Sequence, residues 1–254
     1  MNDCSLCGGT GWHPVEKDGG RAVEVCSCRK EPRDEQWWLE QARIPRAFRT
    51  KDLADFSVVG KKDVNESLQL ALMKARGFVE RYPLVEKGLF FLGNPGVGKT
   101  HLTVAILKQL MMQKGTDCLF CSYQELLRQI RDSYNPVSLS TESEVVRPVL
   151  ETEVVVIDDL GAERISDWVE DTVTYILNYR YTQRKITLLT SNLPDSPEDA
   201  ADAEAARSPG RKYRIGDTLT DRVGIRVRSR LYEMCELVRM HADDFRQTVQ
   251  VHRR

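Results

Sequence analysis

Eight consecutive residues, Gly93-Asn94-Pro95-Gly96-Val97-Gly98-Lys99-Thr100, fit the phosphate-loop pattern G-x-x-x-x-G-K-[ST]. Glycines at that spacing let backbone N–H groups turn inward around phosphates. Lys99 would bridge the outer phosphates, Thr100 would offer its hydroxyl to magnesium, and His101 continues into a helix whose positive N-terminus faces the nucleotide. The chemistry is that of Mg-ATP. Downstream, Val154-Val155-Val156-Ile157-Asp158-Asp159 is an apolar run closed by two carboxylates. Asp158 is the candidate magnesium-side acid, and Asp159 the candidate general base that polarises the attacking water. Thr190-Ser191-Asn192 closes the next apolar run, where Asn192 could orient that water; an Asn at a strand end also serves as an ordinary turn former.

A second chemistry is written in the cysteines. Cys4-x-x-Cys7 and Cys26-x-Cys28, parted by a Gly-rich segment, can supply four thiolates in a tetrahedron around Zn2+, with His13 as a substitute ligand. A redox pair or unmetallated thiols is the alternative. Cys118, Cys121 and Cys235 sit in apolar segments and read as core residues, although Cys118 and Cys121 also spell C-x-x-C. The arginines Arg222, Arg226, Arg228 and Arg230 form either a solvated face or, beside a nucleotide, a source of guanidinium for charge developing on the γ-phosphate.

These residues need elements to place them. Gly88-Leu89-Phe90-Phe91-Leu92 reads as a strand before the glycine loop, and Leu102, Ala105, Ile106 and Leu110 give helical spacing after it. Val64 to Arg81 carries one apolar helix face. Asp117 to Ser122, Val154 to Ile157 and Ile186 to Thr190 read as strands, Gln124 to Tyr134 and Trp168 to Arg184 as helices, and Leu219 to Arg246 as a helix followed by a short strand. Strands alternating with helices imply a parallel sheet in an α/β fold. Residues 1–30 lack an apolar period and would need metal to fold. Residues 31–56 read as a linker and 57–254 as the nucleotide-binding domain, with 195–218 an inserted surface loop.

At 254 residues and net charge -1 the chain can bury a full-sized core and is no polycation, so nucleic-acid binding would rest on local patches. Arg211 to Arg254 holds eleven Lys or Arg against six Asp or Glu, a modest basic excess. The apolar runs are too short for a bilayer and no signal pattern opens the chain, which together imply a cytoplasmic, membrane-free protein.

Taken together, the glycine loop, Val156-Ile157-Asp158-Asp159-Leu160-Gly161, Thr190-Ser191-Asn192-Leu193 and Ser229-Arg230-Leu231-Tyr232-Glu233-Met234 resemble the DnaC/IstB family of AAA+ ATPases. The resemblance runs from about Ile44 to Arg246 and implies a three-layer sandwich around a parallel sheet. It makes Asn192 the sensor 1 residue, Arg230 an arginine finger reaching across a subunit boundary with Arg228 as alternate, and Arg246 the sensor 2 residue. Asp159 departs from the glutamate usual in AAA+ proteins. Members of the family load a replicative DNA helicase onto single-stranded DNA or assist IS21-type transposases, self-associating through the ATPase interface. The cysteine-rich N-terminus is similar to the zinc-bearing region of some loaders, so the resemblance implies a helicase loader. The other readings are a transposase helper and a zinc-dependent adaptor whose nucleotide site is mainly structural.

Overall fold

The computed structural model describes residues 4–8, 12–17, 20–26, 34–58, 62–134, 141–163, 166–195, 218–242 and 244–245. Cys28, Arg246 and nearly all of the 195–218 loop lie outside them. The chain divides into two compact units, Met1–Trp38 and Leu39–Arg254. In the first, β1 (Trp12–Lys17) and β2 (Gly20–Val25) pair antiparallel from Trp12 opposite Val25 to Lys17 opposite Gly20. This hairpin is absent from the sequence reading, because an isolated pair of short strands has no core and hence no strong apolar alternation. Helix α1 (Glu35–Gln41) begins within this unit.

The second unit is built on five parallel strands: β3 (Gly88–Gly93), β4 (Cys118–Ser122), β5 (Val154–Asp158), β6 (Ile186–Ser191) and β7 (Cys235–Met240). They lie side by side as β4-β5-β6-β3-β7. Every residue of β6 and nearly every residue of β3, β4 and β5 is buried, which is why these strands read as unbroken apolar runs rather than alternating ones. One face presents Phe90, Leu92, Leu119, Cys121, Val155, Ile157 and Leu189. That face packs on helices α4 (Tyr123–Ser133), α5 (Glu142–Glu151), α6 (Asp167–Thr182), α7 (Leu219–Val223) and α8 (Ile225–Met234). Residues of the opposite parity turn to the other face, which α3 (Lys99–Lys114) crosses, while α2 (Lys62–Arg81) packs against both α3 and β7. The five-stranded parallel sheet between helical layers is the α/β sandwich expected from the sequence.

Helix α5 escaped the sequence reading. It lacks a long apolar period and contains Pro148, yet Thr141 and Glu144 close a full capping box: Thr141 Oγ1 accepts from Glu144 N, and the Glu144 carboxylate accepts from Thr141 N. T-x-x-E was the available signal.

The stretch expected as the end of a linker carries core residues instead. Leu39, Ala42, Ile44, Leu53 and Phe56 are buried within the second unit. Ala42 O accepts from Phe120 N at 2.8 Å, covering the free edge of β4. Arg49 O accepts from Lys108 Nζ at 2.9 Å, and Asp52 O lies 2.7 Å from His101 Nε2. The apolar residues of this strap follow its irregular path over α3 rather than any fixed period. Leu53→Ala is therefore expected to cost the second unit about 2–3 kcal/mol, read as a lower urea midpoint, whereas a linker residue would leave the midpoint unmoved.

Candidate nucleotide and metal sites

The glycine loop leaves the C-terminal end of β3 and enters α3. Gly98 is the helix N-cap, in the left-handed region at φ 98°, and no side chain caps it, so the first N–H groups of α3 stay available to an anion. Space reinforces the conformational demand. A Cβ on Gly98 would meet the Phe56 ring at 2.6 Å, and one on Gly96 (φ 83°) would meet the Asp244 carboxylate at 1.9 Å. Phe245 N also donates to Gly96 O at 3.3 Å, so the chain past β7 closes on the loop.

Lys99 is buried, and its ammonium donates to Gly93 O at 2.7 Å, Asn94 O at 2.8 Å and Asn192 Oδ1 at 2.6 Å. Beside it, Thr100 Oγ1 donates to Asp158 Oδ1 and Oδ2 at 2.9 and 3.2 Å. Thr190 Oγ1 donates to Asp158 Oδ1 at 2.7 Å and accepts from Asp159 N at 2.8 Å. Burial pushes the Asp158 carboxyl above the usual aspartate range, with the neighbouring Asp159 adding to the rise; hydrogen bonds from Thr190 and Thr100 and the Lys99 charge pull it back. A hydroxyl and a half-buried carboxylate converging at the mouth of a phosphate loop suit an oxygen-seeking cation such as Mg2+.

Asp159 adopts φ 61°, a left-handed conformation that short polar side chains tolerate best. Asn192 Nδ2 donates to its Oδ1 while Asn192 Oδ1 accepts from Lys99, so one amide joins the ammonium to the second acid. The topology explains the meeting. The glycine loop, Asp158 and Asn192 stand at the C-terminal ends of β3, β5 and β6, and β6 lies between the other two. Crevices at such strand ends are the ligand sites of open parallel sheets.

Thr190 is a site residue that the sequence reading quoted without assigning a role. A hydroxyl at the end of a buried strand, beside a strand ending in acids, was the signal.

The arginines stand apart from this cluster. Arg230 Nε donates to Asn178 Oδ1 at 2.9 Å, its guanidinium lies 4.2 Å from the Tyr181 ring centroid, and it pairs with Glu233. Arg228 makes a two-pronged bond to Asp195. Asp195 and Tyr232 belong to a polar cluster that the sequence reading missed, since nothing in spacing links positions so far apart.

In the first unit, the Cys4, Cys7 and Cys26 sulfurs lie within 4.8 Å of one another, with Cys4 Sγ and Cys26 Sγ 3.7 Å apart. That is far beyond a disulfide bond and close to the roughly 3.8 Å between thiolates that share a tetrahedral zinc with 2.3 Å bonds. Gly8, at φ 58°, donates its N–H to Cys4 O at 2.8 Å, bending Cys4–Cys7 into a tight turn that brings both thiols to one side. The three thiols fit a soft divalent metal.

The family described as IstB-like ATP binding protein matches residues 24–201. The chain is similar to uncharacterized protein YqaM of Bacillus subtilis (strain 168), 30% identical over 156 residues that make up 59% of this chain and 48% of YqaM. It is also similar to the replicative helicase loader DnaI of the same organism, 28% identical over 197 residues, 74% of this chain and 60% of DnaI. The chain thus spans about half the length of YqaM and three-fifths that of DnaI. Among solved structures, a crystal structure of the DnaC helicase loader superposes with TM-score 0.62 at 31% identity, covering 78% of this chain and 100% of that one.

Proposed function

The chain belongs to the family of IstB-like ATP binding proteins, and from that premise we propose that it is an ATPase that loads a replicative DNA helicase onto single-stranded DNA. The observation that carries the ATPase half is the convergence of Lys99, Thr100, Asp158, Asp159 and Asn192 at the ends of three neighbouring strands. In this reading the loop from Gly93 to Thr100, with His101 behind it, holds the triphosphate. Lys99 exchanges its loop carbonyls for phosphate oxygens, and Thr100 and Asp158 hold Mg2+, whose charge steadies the β- and γ-phosphates. Asp159 takes the proton of the attacking water, and Asn192 orients that water. Arg246 is assigned to the nucleotide of its own subunit.

Arg230 completes the site from a second copy. Arg226, Arg230 and the exposed Ile225 stand on one side of α8, beside a cleft that also includes Asn178 of α6. A guanidinium stacked on Tyr181 is held ready but remains partly exposed. Cys4, Cys7 and Cys26, with Cys28 as the fourth thiolate, hold Zn2+ and so order residues 1–30 as the surface that contacts the helicase. The likeness to DnaI and DnaC supports the loader over a transposase helper. Among the described residues no helix is long and apolar enough to cross a membrane.

The test is capture of purified replicative helicase by the full chain, with and without ATP, alongside zinc content. The wild type is expected to carry about one zinc per chain, the capacity of a four-thiolate site, and to capture helicase with ATP. Cys4→Ser with Cys7→Ser should lose both while still binding ATP. Failure to capture helicase under any nucleotide condition would overturn the loader reading and favour the transposase helper, to be sought by duplex-DNA binding and transposase capture.

A further inference from the structure

Among the described residues Asp195 is the one carboxylate buried outright, 4% exposed. Arg228 Nε and Nη2 donate to its two oxygens at 2.9 and 3.0 Å, Tyr232 donates its hydroxyl, and Arg239 stands 3.7 Å away. The Arg228 guanidinium also lies over the Tyr232 ring, 4.9 Å from its centroid. Burying an ion pair adds little net stability, because desolvation offsets the attraction; what it fixes well is geometry. The geometry at stake is legible from the chain. Asp195 lies three residues beyond Asn192, and the intervening turn has further ties: Leu193 N donates to Ser191 Oγ at 3.2 Å, and Pro194 O accepts from Leu219 N at 2.8 Å. Arg228 and Tyr232 belong to α8, Arg239 to β7. One carboxylate therefore pins the exit of β6 to α8 and to the strand beside the glycine loop.

Asn192 must satisfy Lys99 and Asp159 with a single amide, which leaves it little positional freedom. We propose that Asp195, held by Arg228 and Tyr232, is a positioning residue that sets Asn192 against Lys99 and Asp159 and links that setting to helix α8. Arg230 lies on the same helix, two residues from Arg228 and two from Tyr232. A neighbouring subunit that engages Arg230 would shift the helix that anchors Asp195, and through it the amide at the reacting end. The proposal deepens the ATPase reading and rests on it.

The test follows steady-state phosphate release and fluorescent-ATP affinity for the full chain and for Asp195→Asn, Arg228→Lys, Tyr232→Phe, Asn192→Ala and the Asp195→Asn/Asn192→Ala double variant. All are assayed at a temperature where circular dichroism shows them folded. Asp195→Asn is expected to lower kcat about 10-fold, as small misplacements of an orienting group do, with ATP affinity held within about threefold. Arg228→Lys, which keeps the charge, should recover part of the loss. In the Asn192→Ala background Asp195→Asn should cost nothing further, since residues acting through one another are not additive.

Additive losses would overturn the proposal, because Asp195 would then act by another route. Affinity and melting temperature falling in step with kcat would also overturn it, leaving a merely structural role. If Asp195→Asn does not fold, Arg228→Lys and Tyr232→Phe put the same question. Wild-type chain without turnover would overturn the ATPase reading and this inference together; wild-type turnover with unchanged variants overturns this inference alone.

Discussion

Lys99→Ala is expected to reduce ATP turnover at least about 100-fold and to weaken ATP binding about 10-fold or more, the scale of losing a preorganised charged donor at a transferring phosphoryl group. Among the described residues Lys99 is the only cation that meets the others at the strand ends, and three acceptors already hold its ammonium there. Its removal takes away the positive charge and leaves Gly93 O, Asn94 O and Asn192 Oδ1 without that donor. Lys99→Arg should not restore turnover, because a forked guanidinium cannot occupy a pocket shaped around one nitrogen. Fluorescent-nucleotide titration and phosphate release read both effects. ATP affinity within about threefold of wild type in Lys99→Ala, against the loss expected of a charge-assisted contact, would place the nucleotide elsewhere.

The second large effect is on stability. Arg180 is fully buried on α6. Its Nε donates to Thr187 Oγ1 at 2.9 Å, one Nη to Val149 O and Thr152 O at 2.8 Å and to Leu150 O at 3.3 Å, and the other Nη to Glu153 O at 3.4 Å and Ile186 O at 2.5 Å. Carbonyls at the end of α5 have no helical partner and carry the negative end of its dipole, so one cation caps that helix and ties it to the start of β6. Burial pushes the guanidinium pKa down to about 10, which still leaves it charged at neutral pH. Arg180→Met keeps the bulk but orphans these acceptors, and is expected to cost about 4 kcal/mol or more. Arg180→Lys, with three donors, should lose about half of that. Urea unfolding decides: a Met variant within about 1 kcal/mol of wild type, the worth of an ordinary hydrogen bond, would mean that the carbonyls find other partners.

Much of the nucleotide site was legible because its parts are local. A glycine loop announces itself by spacing, since backbone that wraps a phosphate must be free of Cβ atoms and must open a helix. Strands buried on both faces announce themselves as apolar runs, and the acids and amide at the ends of β5 and β6 stand at known distances along the chain. The thiol pair Cys4 and Cys7 was legible in the same local way, and folding brings Cys26 Sγ to 3.7 Å from Cys4 Sγ.

The elements that escaped share a different property. Helix α5 is held by a capping box and by Arg180 rather than by a long apolar stripe. The strap from Leu39 to Phe56 follows no period, because its side chains fill gaps over α3 wherever they fall. Thr190 has a role only because β6 lies against β5.

The sequence by itself determined the phosphate loop, the paired acids, the alternation of strands and helices, and the thiol pair at the N-terminus, since each depends on residue type at short separation. Only the tertiary structure decided that β6 lies between β3 and β5, so that Asn192 reaches both Lys99 and Asp159. It alone decided that Arg228 is committed to Asp195 while Arg230 rests on Tyr181. Strand order and buried ion pairs join residues far apart in the chain, and no local pattern encodes which of many arginines a buried carboxylate will meet.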